Sequence, residues 1–180
     1  MFNLFKKSSL VPRNPPYVSY YSNTGSTLTK AQRVYLVGNY DSVIKENDRI
    51  NSMNLFTERA FKLLKPNGIL TYIVNKTFAV LPSYTEIRRY LLDAGRFNYL
   101  VSGLDPFKAI VDCVVFGITK SKEDNYSVRW HDGDLENYEF VNITKFRSNR
   151  NLEFHSSKDS SIISKIERAG NTLADILVVN

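Results

Sequence analysis

The sequence has little of what several common kinds of functional site require. Its single cysteine, Cys113, excludes an intramolecular disulfide, and the apolar run around it predicts a small buried side chain in a reducing compartment. The two histidines, His131 and His155, lie far apart without ligand-like spacing, so we expect no structural or catalytic metal. No apolar stretch approaches membrane-spanning length, and the N-terminus lacks the apolar core of a signal peptide, which favours a cytoplasmic protein.

Glycine is present but poorly arranged for binding a nucleotide. The eight glycines are scattered, and none forms the G-x-G pattern of a loop that cradles phosphates or a cofactor. The formal net charge of +6 favours a polyanionic partner, although most basic proteins of this size bind no nucleic acid. With 43% hydrophobic residues in 180, the chain can bury one core, so we expect a single domain or a piece of one.

One short motif stands out, Asn14-Pro15-Pro16-Tyr17. By composition, an Asn/Asp/Ser-Pro-Pro-aromatic tetrapeptide should occur in fewer than about one chain in a hundred of this size. Two consecutive prolines stiffen the backbone and remove two N–H donors, so the loop presents mainly carbonyl oxygens. The Asn14 side-chain carbonyl and a proline carbonyl can accept hydrogen bonds from one amino group, and Tyr17 offers a flat face for a planar base. The alternative is a Pro-rich turn with an exposed tyrosine.

The residues that follow this tetrapeptide, up to about Thr119, resemble the later half of a catalytic domain. The family is the amino-group DNA methyltransferases, and within it the adenine-specific enzymes of restriction–modification systems, the class with the NPPY motif. The likeness rests on a helix-like stretch at 51–68, an apolar run at 69–74 with its following loop at 75–80, and a late hairpin at 103–118. Only the tetrapeptide is specific by itself, since the helix–Lys-Pro-x-Gly–strand unit is shared by many class I methyltransferases.

This resemblance implies a reaction and a set of catalytic residues. The methyl donor would be S-adenosylmethionine, the substrate double-stranded DNA, and the catalytic residues Asn14, Pro15, Pro16 and Tyr17. A flipped adenine would have its amino group held between Asn14 and the Pro15 carbonyl, with Tyr17 stacked on the ring. Asn14 and Pro16 would also contact the cofactor. Positioning and localisation of the nitrogen lone pair would replace a strong general base.

Other candidate residues are supported less strongly. Phe107 aligns with an aromatic that stacks on the second face of the base in the family, but a core role is equally open. Lys76 follows a strand end, where open α/β sheets place ligands, so it could contact a phosphate or simply be solvated. The basic cluster Lys145, Arg147 and Arg150 could touch the DNA backbone, although short basic stretches are usually just solvated.

Periodicity predicts two helices and one long loop. The first helix ends at Pro66 and Gly68, and its apolar residues share one face: Leu55, Phe56, Ala60, Leu63 and Leu64. The second begins at a capping box, Ser83 to Glu86, and ends at Gly95. Its buried stripe comprises Ile87, Tyr90, Leu91 and Ala94. Residues 18–50 are polar and weakly periodic, which indicates a long loop with one short helix.

The remaining pattern predicts a small sheet. Strands are expected at 69–74, 97–101, 111–119 and 126–131, with 111–119 central because it is nearly all apolar and 126–131 an outer strand because it alternates. Residues 142–159 are polar and poorly patterned, more linker than core. The resemblance implies a fold of the α/β class, a partial class I (Rossmann-like) methyltransferase domain with a C-terminal β-hairpin.

The two ends suggest a division of the chain. Residues 1–13 are basic and polar, with Pro12 just before the tetrapeptide, which is poor strand material. Leu10-Val-Pro-Arg13 reads like part of a cleavable linker, so 1–13 are interpreted as a tag or non-native leader. Residues 14–140 would be the C-terminal half of the catalytic domain, and 141–180 a linker and short helix leading towards a target-recognition domain. Without the Gly-rich loop, we expect negligible S-adenosylmethionine binding and no activity from these residues alone.

Two competing functions stay open from the sequence. A protein-glutamine methyltransferase shares the tetrapeptide, because glutamine also presents an amide nitrogen. The long stretch at 18–50 and the hairpin that carries Phe107 favour the DNA enzymes instead. The non-enzyme alternative is an inert remnant that acts only as an interaction module.

Overall fold

The computed structural model describes residues 8–13, 15–16, 20, 28–45, 50–104, 112–133, 135–149 and 151–169. The strands are β1 (Ser8–Arg13), β2 (Leu64–Asn75), β3 (Arg96–Leu104), β4 (Cys113–Thr119), β5 (Ser127–Asp132) and β6 (Glu139–Asn142). The helices are α1 (Lys30–Asn39), α2 (Ser52–Leu63), α3 (Thr77–Val80), α4 (Thr85–Ala94), α5 (Thr144–Arg147) and α6 (Ser157–Ala169), with a 3₁₀ turn at Pro82–Tyr84.

The strands form one mixed sheet in the order β1-β2-β4-β3-β5-β6. Strands β1, β2, β3 and β5 run in the same direction, while β4 and β6 run opposite to their neighbours. The predicted hairpin is confirmed, with Leu100 of β3 opposite Phe116 of β4. β4 lies between β2 and β3 and is buried along nearly its whole length, as its apolar sequence predicts. The expectation that 126–131 is an outer strand is wrong, because β5 pairs with β3 on one side and with β6 on the other.

The N-terminal strand β1 corrects the expectation that residues up to 13 are poor strand material. It pairs in parallel with β2, and the register runs from Leu10 opposite Ile69 to Arg13 opposite Tyr72. β1 lies at the edge of the described sheet, the position in which strands tolerate a proline such as Pro12. The interpretation of 1–13 as a non-native leader stays a prediction.

Helix α2 begins where the resemblance places it, with its N-cap at residue 51, but ends earlier than predicted. The Asn51 side chain caps it by accepting a hydrogen bond from the Asn54 amide at 2.9 Å. The helix ends at Leu63, and β2 starts at once, so Pro66 and Gly68 lie inside the strand. The predicted apolar face is confirmed only in part: Leu64 is fully buried and Leu55, Ala60 and Leu63 are partly buried, but Phe56 is 55% exposed. The buried helical residues are Ser52, Met53, Asn54, Thr57, Glu58 and Phe61.

Helix α4 confirms its predicted end but not its predicted start. Ser83 lies in the 3₁₀ turn, and Tyr84 occupies the N-cap position without a side-chain hydrogen bond, so the capping box is wrong. Gly95 follows the last helical residue, as predicted, and a Cβ there would meet Ile118 Cδ1 at 2.7 Å and Phe61 Cζ at 2.8 Å. Of the predicted stripe, Ile87 and Leu91 are fully buried, while Tyr90 and Ala94 are partly buried against the core.

The expectation that 142–159 is more linker than core is wrong. Phe146 and Phe154 are each 1% exposed, and their ring centroids lie 5.0 Å apart. Phe154 also meets Phe97 of β3 edge-on at 5.2 Å. Four large apolar side chains in this stretch belong to the main core: Ile143, Phe146, Leu152 and Phe154. The main core therefore includes these side chains, and Ser157–Ala169 forms helix α6, while the division of the chain at residue 140 stays a prediction.

One packed tyrosine gives the fold an alkaline pH dependence. Burial raises the pKa of Tyr90 to about 12. The folded state thus holds this proton more tightly than the unfolded state, and the resulting stability is fully present below pH 10 and lost as the pH rises to about 12. We expect Tyr90→Phe to reduce the alkaline loss of unfolding free energy by about 2 kcal/mol. Urea unfolding of both proteins at about pH 9 and about pH 12 measures this, and an equal loss in both would contradict it.

Candidate active site

The candidate site lies at one edge of the sheet. Because β1, β2, β3 and β5 run in the same direction, their carboxyl ends meet at this edge. β1 ends at Arg13, two residues before Pro15 and Pro16, which form the Pro-Pro segment, and β2 ends at Asn75, directly before Lys76. Arg13 pairs with Tyr72, so these two ends are neighbours. Open α/β sheets bind ligands at such an edge, which supports the two stretches as parts of one site.

The Pro-Pro segment is attached to the start of α2. Pro15 is buried and Pro16 is exposed. The Ser52 hydroxyl, on a residue only 2% exposed, donates a hydrogen bond to the Pro16 carbonyl at 2.8 Å. A second link follows the segment, where the Tyr20 amide donates to the Ile50 carbonyl at 3.0 Å. The first turn of α2 therefore fixes the Pro16 carbonyl.

Two of the catalytic residues expected from the sequence, Asn14 and Tyr17, lie outside the described residues. Phe107 does too. Their roles stay predictions, as do those of the described Pro15 and Pro16. What the structure supplies is the frame around them, namely the end of β1, the buried Pro15 ring and the Ser52 anchor.

A buried acid holds the loop after α1 on α2. Glu58 is fully buried, and its carboxylate accepts hydrogen bonds from the amides of Asp41 at 2.8 Å and Ser42 at 2.9 Å. Lys62, one helical turn later, forms ion pairs with Glu58 at 2.6 Å and with Asp41 at 3.0 Å. Burial lowers the pKa of Lys62, but its hydrogen bonds to the two carboxylates outweigh this, so the net pKa is raised. The i,i+4 spacing of Glu58 and Lys62 is a sequence signal for their ion pair, but this network was not predicted.

Lys76 lies where the sequence placed it, just after a strand end. Its amide donates to the Asp112 carbonyl at 2.9 Å, and its Nζ lies 3.5 Å from an Asp112 carboxylate oxygen. Both side chains are more than half exposed, so this ion pair contributes little to stability. The ammonium group is accessible at the carboxyl edge, and its contact with a phosphate stays a prediction.

The predicted basic cluster is partly structural. Arg147 donates to the carbonyls of Leu92 at 2.8 Å and Glu123 at 3.4 Å, and it also bonds the Asp124 carbonyl. These bonds join α5 to α4 and to the turn before β5. Arg147 therefore has a structural role that its sequence position did not reveal. Arg150 lies outside the described residues.

In the part of the chain that the structure describes, no group of three or more His, Cys, Asp or Glu side chains could hold a metal ion. No helix within the described ranges is long and apolar enough to cross a membrane. Cys113 is buried, as its apolar neighbours predict.

The sequence matches one family model over residues 11–107, which is more than half of the chain. That model describes the Eco57I restriction-modification methylases. The chain belongs to this family. The matched residues of the Eco57I methylase domain run from within β1 through the Pro-Pro segment, α2, β2 and α4 to the end of β3.

Solved structures share the fold of this Eco57I-family chain. A Listeria monocytogenes protein described as a class I S-adenosylmethionine-dependent methyltransferase matches with a TM-score of 0.57 and 15% identity, over 76% of this chain and 40% of its own. DrdV, in a complex with DNA, matches with a TM-score of 0.58 and 14% identity, over 84% of this chain and 19% of its own.

The type IIG restriction endonuclease BpuSI matches with a TM-score of 0.51 and 21% identity, over 69% of this chain and 15% of its own. No curated protein matches in sequence. The chain thus has the class I methyltransferase fold expected from its sequence and spans 40% or less of these three chains.

Proposed function

We propose that this chain is the amine-binding part of a site-specific DNA adenine methyltransferase that uses S-adenosylmethionine and belongs to a restriction–modification system. The observation that carries the proposal is the Pro-Pro segment at the carboxyl end of β1, with its Pro16 carbonyl fixed by Ser52. Membership of the Eco57I methylase family and the class I methyltransferase fold support it. DNA as a partner is supported by the formal charge of +6 and by the DNA-bound structure of DrdV.

The proposed methyl transfer depends on oxygen acceptors that would bind the amino group of adenine. Neither Pro15 nor Pro16 has an N–H, so the backbone offers oxygens to a donor. The Pro16 carbonyl already accepts from Ser52, which leaves the Pro15 carbonyl and the Asn14 side chain as the proposed pair for the adenine amino group. When the amino group donates both of its hydrogens to these two oxygens, its nitrogen is drawn away from planarity and its lone pair becomes localised. Stacking on Tyr17 would hold the base in this orientation.

The residues present also fit the proposed methyl donor. S-adenosylmethionine, when bound, supplies an electrophilic methyl group on a sulfonium sulfur. The exposed Pro16 offers an apolar surface next to the proposed amino-binding Pro15 carbonyl, and an asparagine side chain such as that of Asn14 would add polar groups. We therefore assign these two residues to the cofactor side of the site. Asn14 and Pro15 orient the nitrogen, which needs no strong general base.

The direct test is methylation by the whole protein that contains this chain. With isotope-labelled S-adenosylmethionine and duplex DNA, we expect labelled N6-methyladenine in mass spectrometry of the digested DNA. Label on cytosine would overturn the adenine assignment. Label on a glutamine side chain of added protein, with none in DNA, would favour the protein-glutamine methyltransferase.

The anchor of the Pro-Pro segment can be tested by Ser52→Ala. Losing one neutral hydrogen bond of about 0.5–1.5 kcal/mol should slow methyl transfer about threefold to tenfold. Because Ser52 positions a loop and does not touch DNA in this proposal, kcat should fall while the KM for DNA stays unchanged. Ser52→Thr, which keeps the hydroxyl, should restore most of the rate, and exposed Ser164→Ala is the matched control. A normal kcat in Ser52→Ala would contradict the positioning role.

The stacking roles of Tyr17 and Phe107 separate DNA from a protein substrate. If the two rings enclose a flipped adenine, each should contribute about 1–3 kcal/mol, so Tyr17→Ala and Phe107→Ala should each weaken base-flipped binding. A 2-aminopurine at the target position reports this, because its fluorescence rises when it leaves the DNA stack. A glutamine side chain has no π face and would not need the second ring. Unchanged fluorescence in both variants would contradict the paired stacking.

A further inference from the structure

Strand β3 contains a β-bulge where it reaches the carboxyl edge of the sheet. Between Val101 and Leu104 it has one residue more than the facing stretch of β4. The bulge comprises Ser102 and Gly103, and Gly103 has a φ of 70°, in the left-handed region that favours glycine. Bulges bend a strand, re-aim the residues beyond it and are over-represented next to active sites. The end of β3 is therefore bent at the edge where the candidate site lies.

Strand β5 braces this bulge from the other side. The two strands pair in parallel up to Ser102 and Asp132. The Ser102 hydroxyl donates to an Asp132 carboxylate oxygen at 3.2 Å, and the Ser102 carbonyl accepts from the Gly133 amide at 2.8 Å. Gly133 also has a left-handed backbone, with a φ of 71°. A Cβ added to Gly103 would lie 3.0 Å from the Gly133 nitrogen, so the ends of the two strands are in close backbone contact.

The bulge holds one end of the connection from β3 to β4, residues 105–112. The other end is held by β2, because the Lys76 amide donates to the Asp112 carbonyl at 2.9 Å. Both ends of the connection are thus fixed at the carboxyl edge. Phe107, proposed to stack on the second face of the base, follows Leu104 by three residues. A fully extended chain spans at most about 3.6 Å per residue, so Phe107 lies within about 11 Å of Leu104.

We propose that Gly103 is a positioning residue, whose bulge sets the direction in which the chain leaves β3 and thereby the position of Phe107. Any other residue at this place would be strained by the left-handed φ, and its Cβ would press on the Gly133 backbone, so the end of β3 would have to shift. A misplacement of about 1 Å can cost a hundredfold in rate. The inference rests on the proposed function, because the position of Phe107 affects the rate only if a base stacks on it.

The first test measures the position of residue 107 in the 180-residue chain. Nitroxide labels are attached to Phe107→Cys and to Phe56→Cys, whose native ring is exposed on α2, with Cys113→Ala removing the native thiol. Electron paramagnetic resonance should show that Gly103→Ala shifts or broadens the distance distribution between the labels.

Two further glycines are the matched controls for this measurement. Gly133→Ala has nearly the same φ, but its Cβ would meet nothing closer than the Gly103 carbonyl oxygen at 3.6 Å, so it should change the distribution less. Gly38→Ala, with nothing within 4 Å of its Cβ, should leave the distribution unchanged. An unchanged distribution in Gly103→Ala would overturn the proposal.

The second test measures methylation by the whole protein. Gly103→Ala should lower kcat about tenfold or more while the KM for S-adenosylmethionine stays unchanged. In a Phe107→Ala protein, Gly103→Ala should cost little more, because the ring that it displaces is already absent. Should Gly103→Ala fail to fold, Ser102→Ala removes only the bond to Asp132 and should lower kcat about threefold, again with little effect once Phe107 is absent.

Two kinetic results would contradict the positioning role: a normal kcat in Gly103→Ala, and a loss of the same size with and without the Phe107 ring. If the labels shift as expected but the unsubstituted whole protein methylates no DNA, the proposed function fails while Gly103 still positions residue 107.

Discussion

Replacing Asn14 by alanine is expected to slow methyl transfer by the whole protein about a hundredfold or more, while its affinity for DNA stays roughly unchanged. The side-chain carbonyl of Asn14 is one of the two acceptors proposed for the reacting amino group. Its removal leaves the Pro15 carbonyl alone to orient the nitrogen. Phosphate contacts, which dominate DNA affinity, are not altered by the change. Single-turnover methylation and a DNA-binding titration on the same protein preparation measure the two effects separately.

Two variants sharpen this experiment. Asn14→Asp keeps a side-chain oxygen acceptor and should retain part of the rate that Asn14→Ala loses. Asn39→Ala changes an exposed asparagine at the end of α1, whose Nδ2 donates to the Tyr35 carbonyl at 2.7 Å, and should leave the rate unchanged. Near-normal single-turnover methylation by Asn14→Ala would show that the catalytic assignment is wrong.

Periodicity and composition predicted the central part of the fold well. The apolar 111–119 run could only be a covered strand, and β4 lies between two neighbours. Gly95 ends α4 as predicted, at a position where an added Cβ would collide with Ile118 and Phe61. β1 escaped prediction because its pairing with β2 is a long-range contact, which a short polar segment containing Pro12 does not encode locally.

Burial of residues 142–159 was missed for a related reason. Residues 142–159 bury only a few large side chains among many polar ones, so their average composition indicates a linker. The decisive contacts are with distant strands, as between Phe154 and Phe97. The face of α2 was misread because Glu58 and Asn54 are buried there, and buried polar residues break an apolar pattern.

In the candidate site, too, the local motif could be predicted from the sequence, whereas the long-range contacts around it could not. The tetrapeptide at 14–17 is recognisable because its chemistry is local, and it led to the family that the match over 11–107 confirmed. Ser52 could not be singled out, because its partner Pro16 is 36 residues away and serine at the start of a helix is common.

Arg88→Met is expected to lower the free energy of unfolding by about 3 kcal/mol or more. Arg88 is fully buried, and its guanidinium donates to the carbonyls of Phe78 at 2.6 Å, Leu81 at 3.0 Å and Asn151 at 2.8 Å. Burial lowers the pKa of Arg88 to about 10, so these bonds must offset the desolvation of the cation. Methionine fills similar volume but removes all three bonds: it leaves the buried Phe78 carbonyl without a donor, and the Leu81 and Asn151 carbonyls keep only the Tyr84 N–H and the Thr85 hydroxyl, respectively.

The neighbouring arginine provides the matched control for this substitution. The Arg89 side chain is 52% exposed and pairs with Glu86 at the surface, so Arg89→Met should change the unfolding free energy by about 0.5 kcal/mol or less. Arg88→Lys should recover only part of the loss, because an ammonium group cannot reproduce the planar fork that reaches three carbonyls. Urea unfolding of all three variants measures these free energies, and equal stabilities for Arg88→Met and Arg89→Met would contradict the stabilising role of Arg88. Since Phe78 and Leu81 follow β2 while Asn151 lies beyond β6, the Arg88 side chain joins the C-terminal segment to the loop at the carboxyl edge, and Arg88→Met removes this connection.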